Sequence, residues 1–206
     1  VPQAVLADEL GISRTPLREA MRLLQSEGLL EGEPNRRLRV ARVTIEELEQ
    51  LYAMRITNES LALRLSVARM VEGDSAVIRS ALESMEAAAL AADAQCVESS
   101  HRLFHRLLVE RAGARFVQLA DTLWDHTARY RAAYLESAGS LVSIAFDAQD
   151  DHARILSAVE AGDGDAAASA LAHHYARTAE ALISAAGRGD EPLVVRAAVE
   201  QAERTR

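Results

Sequence analysis

From Thr44 to Ala186 apolar residues recur at three- and four-residue spacing, and the span carries no strand-like alternation. This periodicity constrains the fold more than any other feature, because helices with one apolar stripe must bury it against one another. Thr44 and Glu47 form a T-x-x-E capping box ahead of Leu48, Leu51 and Tyr52, so a long helix is expected to begin there. Gly73-Asp74, the Asp93–Gln95 region, Gly113, Gly139 and Gly162-Asp163 then interrupt the pattern. The result is a mostly α architecture, an antiparallel bundle of about six helices over residues 43–186. Residues 187–206, opening "GRGDEP", shift to Gly, charge and Pro before a last short helical pattern, and read as a tail or an added helix.

Composition agrees with this reading. Ala, Leu, Glu and Arg dominate, aromatics make up 4% of the 206 residues, and there are four Pro. No run of about 18 apolar residues occurs and the start does not resemble a signal peptide, so a cytoplasmic protein without a membrane role is expected. The single cysteine, Cys96, cannot form an internal disulfide and is expected to be a small buried thiol. The net charge of −8 argues against a chain that coats nucleic acid throughout. Its distribution is uneven: residues 1–42 hold seven Arg against six acids, whereas residues 43–206 hold 16 basic against 25 acidic residues. Every basic residue is Arg, a side chain suited to bidentate contacts with phosphate or carboxylate.

Residues 1–42 form a separate pattern. "VPQAVLADELGISRTPLREAMRLLQSEGLLEG" has two short helical repeats broken at Gly11, with Leu6, Ala7 and Leu10 expected inside the first and Ile12, Leu17, Ala20 and Met21 continuing the set. That is the pattern of a helix-turn-helix. Ser13 is suited to cap the second helix and Pro16 to sit in its first turn. Arg14, Thr15 and Arg18 then project outward, where they can meet phosphates or base edges. "SEGLLEGEPNRRLRVARV" follows as a hairpin wing with its turn at Glu33–Asn35, and Arg36, Arg37 and Arg39 place charge beside it. These arginines either contact DNA or merely solubilise an exposed hairpin.

"LADELGISRTPLREAMRLLQSEGLLE" resembles the winged helix-turn-helix of GntR-family bacterial transcription regulators, in which the SRTPxREA segment opens the recognition helix. The resemblance implies DNA contacts from Ser13, Arg14, Thr15 and Arg18. Two departures stand out: the family's first helix would precede Val1, so the domain reads as N-terminally truncated, and the wing carries "EPNRRLR" where a Gly-rich tip is usual. The remainder resembles the FCD ligand-sensing domain of the FadR-like branch, on "YAMRITNESLALRLS", "HRLFHRLLVERAG", "DHARILSAVEAGD" and "ALAHH". About six helices rather than seven favours its VanR-like division.

His101 and His105 lie four apart in "SSHRLFHRLLVERAG" and share a helix face, while His152 and His174 fall on the last two helices of the bundle. Imidazoles from three helices can converge in a bundle interior and hold a metal there. The FCD resemblance implies a D-x-x-x-H ligand pair plus one His on each of two later helices. His101, His105, His152 and His174 fill those places, with His101 where Asp is usual. Four neutral nitrogen donors favour Zn, Ni or Co over Mn, with Zn or Ni expected. Alternatively His101 leaves its place to water, or all four side chains are packing. His173 is expected at the surface or beside the site, and His126 in the core or lining a pocket.

A small organic acid is the effector class that the resemblance implies. Arg102 and Arg106 flank the histidine pair, and Arg129 and Arg131 lie on the following helix; each is a candidate carboxylate clamp or a solvated helix residue. Arg55, which matches an R-x-x-x-E feature with Glu59, is assigned to the interface between domains, and Ala114 stands where Asn is usual. The expectation is a homodimeric, ligand-responsive repressor that binds operator DNA. Two rivals remain: a helical-bundle metalloenzyme, for which Glu98-x-x-His101 supplies one E-x-x-H but Gln149 stands where a second needs Glu, and a metal-independent regulator with structural histidines.

Overall fold

A computed structural model describes residues 3–32, 38–42, 44–138, 149–187 and 191–204, with side chains up to residue 132 in the third segment. It divides into two compact units, Val1–Val43 and Thr44–Arg206, so the segment after residue 186 belongs with the bundle.

The first unit holds α1 (Gln3–Glu9), α2 (Arg14–Ser26), β1 (Leu30–Glu31) and β2 (Arg39–Val40). Gly11 takes the turn between the helices at φ +64°, a left-handed conformation that suits glycine. Ser13 occupies the N-cap position with extended backbone, but its hydroxyl makes no capping bond, contrary to expectation. Ala7 of α1 and Leu17 of α2 are the buried residues of the two helices. Leu10, Ile12 and Ala20 are exposed rather than buried, because two short helices and two strands offer too little surface to enclose them. β1 and β2 pair antiparallel, Leu30 opposite Val40 and Glu31 opposite Arg39, with Arg39 Nε 2.8 Å from Glu31 Oε1. The expected turn at Glu33–Asn35 and the arginines Arg36 and Arg37 lie outside the described residues.

The second unit contains α3 (Ile45–Val67), α4 (Asp74–Leu90), α5 (Ala94–Val109), α6 (Ala114–Ala138), α7 (Gln149–Glu160), α8 (Gly164–Ala185) and α9 (Leu193–Arg204), with a 3-10 turn at Glu110–Ala112. Six of these helices fall between Thr44 and Ala186. The seventh, α9, settles the tail as an added helix, and it buries Val195, Ala198 and Ala202 on one face. α3 is central and packs against α6, α8 and α9, while α4 packs on α5 and α7 on α8. Its Tyr52, Ile56 and Leu63 meet Leu171 and Tyr175 of α8 in one continuous core.

Helix starts follow from the sequence with one revision. Thr44 Oγ1 accepts from the Glu47 amide at 3.2 Å, but the Glu47 carboxylate does not close the box. It instead accepts from Arg129 and, at 2.8 Å, from the Tyr130 hydroxyl. Asp93 caps α5 through the Cys96 amide at 3.0 Å, and Asp163 caps α8 through the Ala166 amide at 2.9 Å. Cys96 is exposed, not buried, because it sits in the first turn of α5 on its outer side. Among the described residues no helix is long and apolar enough to cross a membrane.

Candidate metal centre

α5, α7 and α8 each turn an apolar stripe inward: Phe104 and Leu108, Ile155 and Val159, Leu171 and Tyr175. His101 and His105 lie one turn apart beside Phe104, His152 lies one turn before Ile155, and His174 directly precedes Tyr175. Burial of these stripes therefore carries four imidazoles into one place. One ring nitrogen from each of His101, His105, His152 and His174 lies within 4.8 Å of the others, and all but His101 are buried. Ring centroids are 4.5 Å apart for His152 and His174 and 4.7 Å apart for His101 and His105.

The hydrogen bonding around the rings is uneven. Nε2 of His105 and Nε2 of His101 are 3.0 Å apart. His105 Nδ1 meets the Tyr175 hydroxyl at 3.0 Å. That hydroxyl donates to Glu59 Oε2 at 2.6 Å and accepts from Arg55 Nη2 at 2.7 Å, while Arg55 Nε donates to Glu59 Oε1 at 2.8 Å. His174 Nδ1 faces Asp151 Oδ2 at 3.5 Å, and Arg177 Nε donates to the same carboxylate oxygen at 2.8 Å. Among the described residues neither ring nitrogen of His152 has a hydrogen-bond partner. A buried polar group without a partner is costly and calls for one.

Electrostatics favour uncharged rings. Burial, followed by the neighbouring imidazoles and nearby arginines, holds His101 and His105 well below the ordinary histidine value. Burial and His174 do the same for His152. Burial also lowers His174, with Asp151 opposing. Tyr175 is pushed well above its usual value by burial and keeps its proton. Burial opposes the charge on Arg55, yet Glu59 holds the guanidinium more firmly protonated than usual. For Asp151 burial works against ionisation, but His174 and Arg177 outweigh it and keep the carboxylate charged.

These residues fit a metal ion. Neutral imidazole is the ligating form, a tetrahedral Zn site needs nitrogen donors roughly 3.3 Å apart, and one of the two unpaired nitrogens of His152 would gain a partner. No carboxylate is among the four convergent groups.

The other expected residues scatter. Arg102 reaches Asp125 at 2.6 Å and Asp121 at 3.5 Å, and Arg106 reaches Asp121 at 3.6 Å, both on the exposed side of α5. Arg129 is engaged by Glu47. Those three are engaged by acids on α3 and α6. Arg131 alone lies at the edge of the cluster: its Cζ stands 4.1 Å over the Trp124 ring, which is 5.0 Å from His101, and its Nη2 donates to Glu98 at 2.9 Å. Glu98, the acid of the one E-x-x-H pattern, is thus held by Arg131 and is not among the four convergent groups. Arg55, a candidate for the interface between domains, is 2% exposed and lies inside the bundle, tied to Glu59 and Tyr175. His173 is at the surface, 3.0 Å from Glu203, and His126 is half-buried on α6.

Tyr175 and Asp151 carry no signal of their own in the sequence. Tyr175 follows the ligand position directly and Asp151 directly precedes one, but no spacing rule singles out such neighbours. The i, i+4 spacing of Arg55 and Glu59 is visible in the sequence, but not their place beside Tyr175. In the first unit Ser13, Arg14, Thr15 and Arg18 are all exposed around the start of α2.

Residues 50–177 match the FCD domain family, and residues 2–40 match the family described as bacterial regulatory proteins, gntR family. A protein named probable D-xylose utilization operon transcriptional repressor, from Paenarthrobacter nicotinovorans, is 31% identical over 85% of this chain and 76% of its own length. HTH-type transcriptional repressor GlaR of Escherichia coli is 29% identical over 83% of this chain and 80% of its own. Among solved structures, Escherichia coli McbR/YncC shares the fold with a TM-score of 0.78 at 24% identity, over 88% of this chain and 85% of that one. A GntR family member from Pseudomonas syringae pv. tomato aligns with a TM-score of 0.58 at 30% identity, over 91% and 76%.

Proposed function

The chain belongs to the gntR family of bacterial regulatory proteins, as a DNA-binding transcription regulator with an FCD domain, and from that premise we propose that it is a homodimeric repressor whose operator binding is set by a small carboxylate held at a His-coordinated metal ion. The four imidazoles drawn together from three helices carry this reading. His105, His152 and His174, with His101 as the fourth donor, would hold Zn or Ni. Such an ion supplies a Lewis-acidic, positively charged seat for a carboxylate oxygen. The surrounding residues favour an anion there, since the donors are neutral and the Arg131 guanidinium stands over the neighbouring Trp124.

Membership of a family of transcription regulators supports a role in DNA binding rather than turnover. Repression is supported by relatives that are themselves named repressors. Arg14, Thr15 and Arg18, exposed at the start of α2, are suited to enter the major groove, and two copies would read two half-sites. An effector changes operator affinity only through its different affinity for the DNA-competent and DNA-incompetent arrangements of the dimer. Operator binding implies a cytoplasmic protein.

The test combines metal analysis of protein purified without a nickel column with operator binding at several salt concentrations, with and without chelator. Stoichiometric metal that is lost from a His105→Ala, His152→Ala double variant, together with operator affinity that responds to carboxylates only in the loaded protein, supports the reading. Absence of metal from every preparation, including protein dialysed against zinc, would overturn it.

A further inference from the structure

Tyr175 has three polar neighbours and one proton to share among them. Arg55 Nη2, 2.7 Å away, is a guanidinium nitrogen and can only donate. Glu59 Oε2, 2.6 Å away, belongs to a carboxylate paired with Arg55 and can only accept. The tyrosine proton therefore goes to Glu59. Its oxygen is left as an acceptor toward His105 Nδ1 at 3.0 Å, and that contact is a hydrogen bond only if Nδ1 carries the imidazole proton. With the opposite tautomer two lone pairs would face each other in a site from which water is excluded, as Arg55, Glu59, His105 and Tyr175 are all at most 3% exposed.

We propose that Tyr175, oriented by the buried Arg55–Glu59 pair, is a positioning residue that fixes His105 as the Nδ1–H tautomer and so presents the lone pair of Nε2 to the convergent ligand set. This rests on the metal reading of the site for its purpose, but the tautomer itself belongs to the metal-free protein. Outer groups that hold a ligating imidazole in this way commonly govern metal affinity. Here the holder is a phenol whose own direction is set by an ion pair on another helix. α3, α5 and α8 thereby meet at one oxygen atom.

The experiment uses the full chain labelled with 15N-histidine, stripped with chelator, and read by long-range 1H–15N correlation NMR, with His105 assigned by its disappearance in His105→Gln. The expected result is a protonated Nδ1 on His105 in the unsubstituted protein, loss of that preference in Tyr175→Phe, and zinc affinity lowered about 10–100-fold in Tyr175→Phe by chelator competition. Tyr52→Phe is the control, since the Tyr52 hydroxyl has no hydrogen-bond partner among the described residues and its removal should move neither readout. A protonated Nε2 on His105 in the unsubstituted protein overturns the proposal without reference to any variant, so it stays falsifiable even if Tyr175→Phe fails to fold. Unchanged tautomer and affinity in a folded Tyr175→Phe overturns it as well. Failure of the unsubstituted protein to bind zinc would overturn the metal reading instead, while leaving the tautomer assignment to be judged by NMR.

Discussion

His101 Nε2 stands 3.0 Å from His105 Nε2, so two nitrogens that would share an ion share a hydrogen bond in its absence. With the His105 proton on Nδ1, His101 must be the donor, and its Nε2–H must be given up before that nitrogen can ligate. His101 is also the one member of the set that is not fully buried. Both features make it the weakest-held donor.

Substitutions of the four histidines should therefore have graded effects. His105→Ala or His152→Ala should abolish stoichiometric zinc, whereas His101→Ala should keep zinc bound with weakened affinity. His101→Asp adds a hard, charged donor and should raise affinity for Mn relative to Ni. Competition titrations with both metals measure this; equal losses at His101 and His152, or an unchanged Mn to Ni ratio in His101→Asp, would count against the assignment.

Metal loading should also depend on pH. Burial and like-charged neighbours lower all four imidazoles in the folded metal-free chain, so between those lowered values and about 6.5 the unfolded chain binds more protons than the folded one. Their contribution to stability is complete above about 6.5 and falls as the pH drops below it, by about 1.4 kcal/mol per pH unit for each such proton. Bound metal is released only at lower pH, where the folded imidazoles themselves take up protons, because only neutral imidazole ligates. The Tm of chelated protein should fall between pH 7.5 and 5.5, and that of zinc-loaded protein should fall in parallel with it for as long as zinc stays bound. A flat Tm for both would contradict the burial of the cluster.

How far the sequence foretold this arrangement depends on the kind of signal. His101 and His105 were placed on one face by helical spacing, and the breaks at Gly73, Gly113 and Gly162 located the helices on which the other two lie. Local periodicity reports which face a residue occupies. It does not report which side chains from distant helices will meet, and so Arg55 was assigned to a domain interface although it is buried among Glu59, Thr127 and Tyr175. The same limit hid Glu47, whose carboxylate leaves its expected capping role for Arg129 and Tyr130, 82 and 83 residues away in sequence. Cys96 was misjudged for a related reason: a cysteine is usually buried by composition, but its place in the capped first turn of α5 puts it outside.

DNA recognition should show in the salt dependence of operator binding. If Arg14 and Arg18 contact phosphates, replacing either by Ala lowers the slope of log affinity against log salt by about 1. Arg22 pairs with Glu19 at 2.9 Å on the exposed surface of α2, so Arg22→Ala should leave that slope nearly unchanged. If either Arg instead reads a base, its loss should relax preference at one operator position by about 1–3 kcal/mol with a smaller change in slope. Titrations at several salt concentrations distinguish these results, and no effect of either substitution would remove α2 from the interface.

The Arg55–Glu59 pair makes the sharpest stability prediction. Both side chains are at most 3% exposed, and Glu59 is the only anion bonded to the Arg55 guanidinium among the described residues. Glu59→Ala removes that anion, leaves a buried cation unpaired and deprives the Tyr175 hydroxyl of its acceptor. The expected cost is about 3–5 kcal/mol in urea unfolding of the metal-free chain. Replacing both partners, as Arg55→Met with Glu59→Leu, removes the charge imbalance and should cost less than Glu59→Ala alone. Glu200→Ala disrupts the exposed Arg204–Glu200 pair, whose side chains are 73% and 61% accessible, and should change stability by no more than about 1 kcal/mol. If Glu59→Ala proves as mild as Glu200→Ala, the Arg55 charge is not confined to the bundle interior, and the orientation it gives to Tyr175 and His105 falls with it.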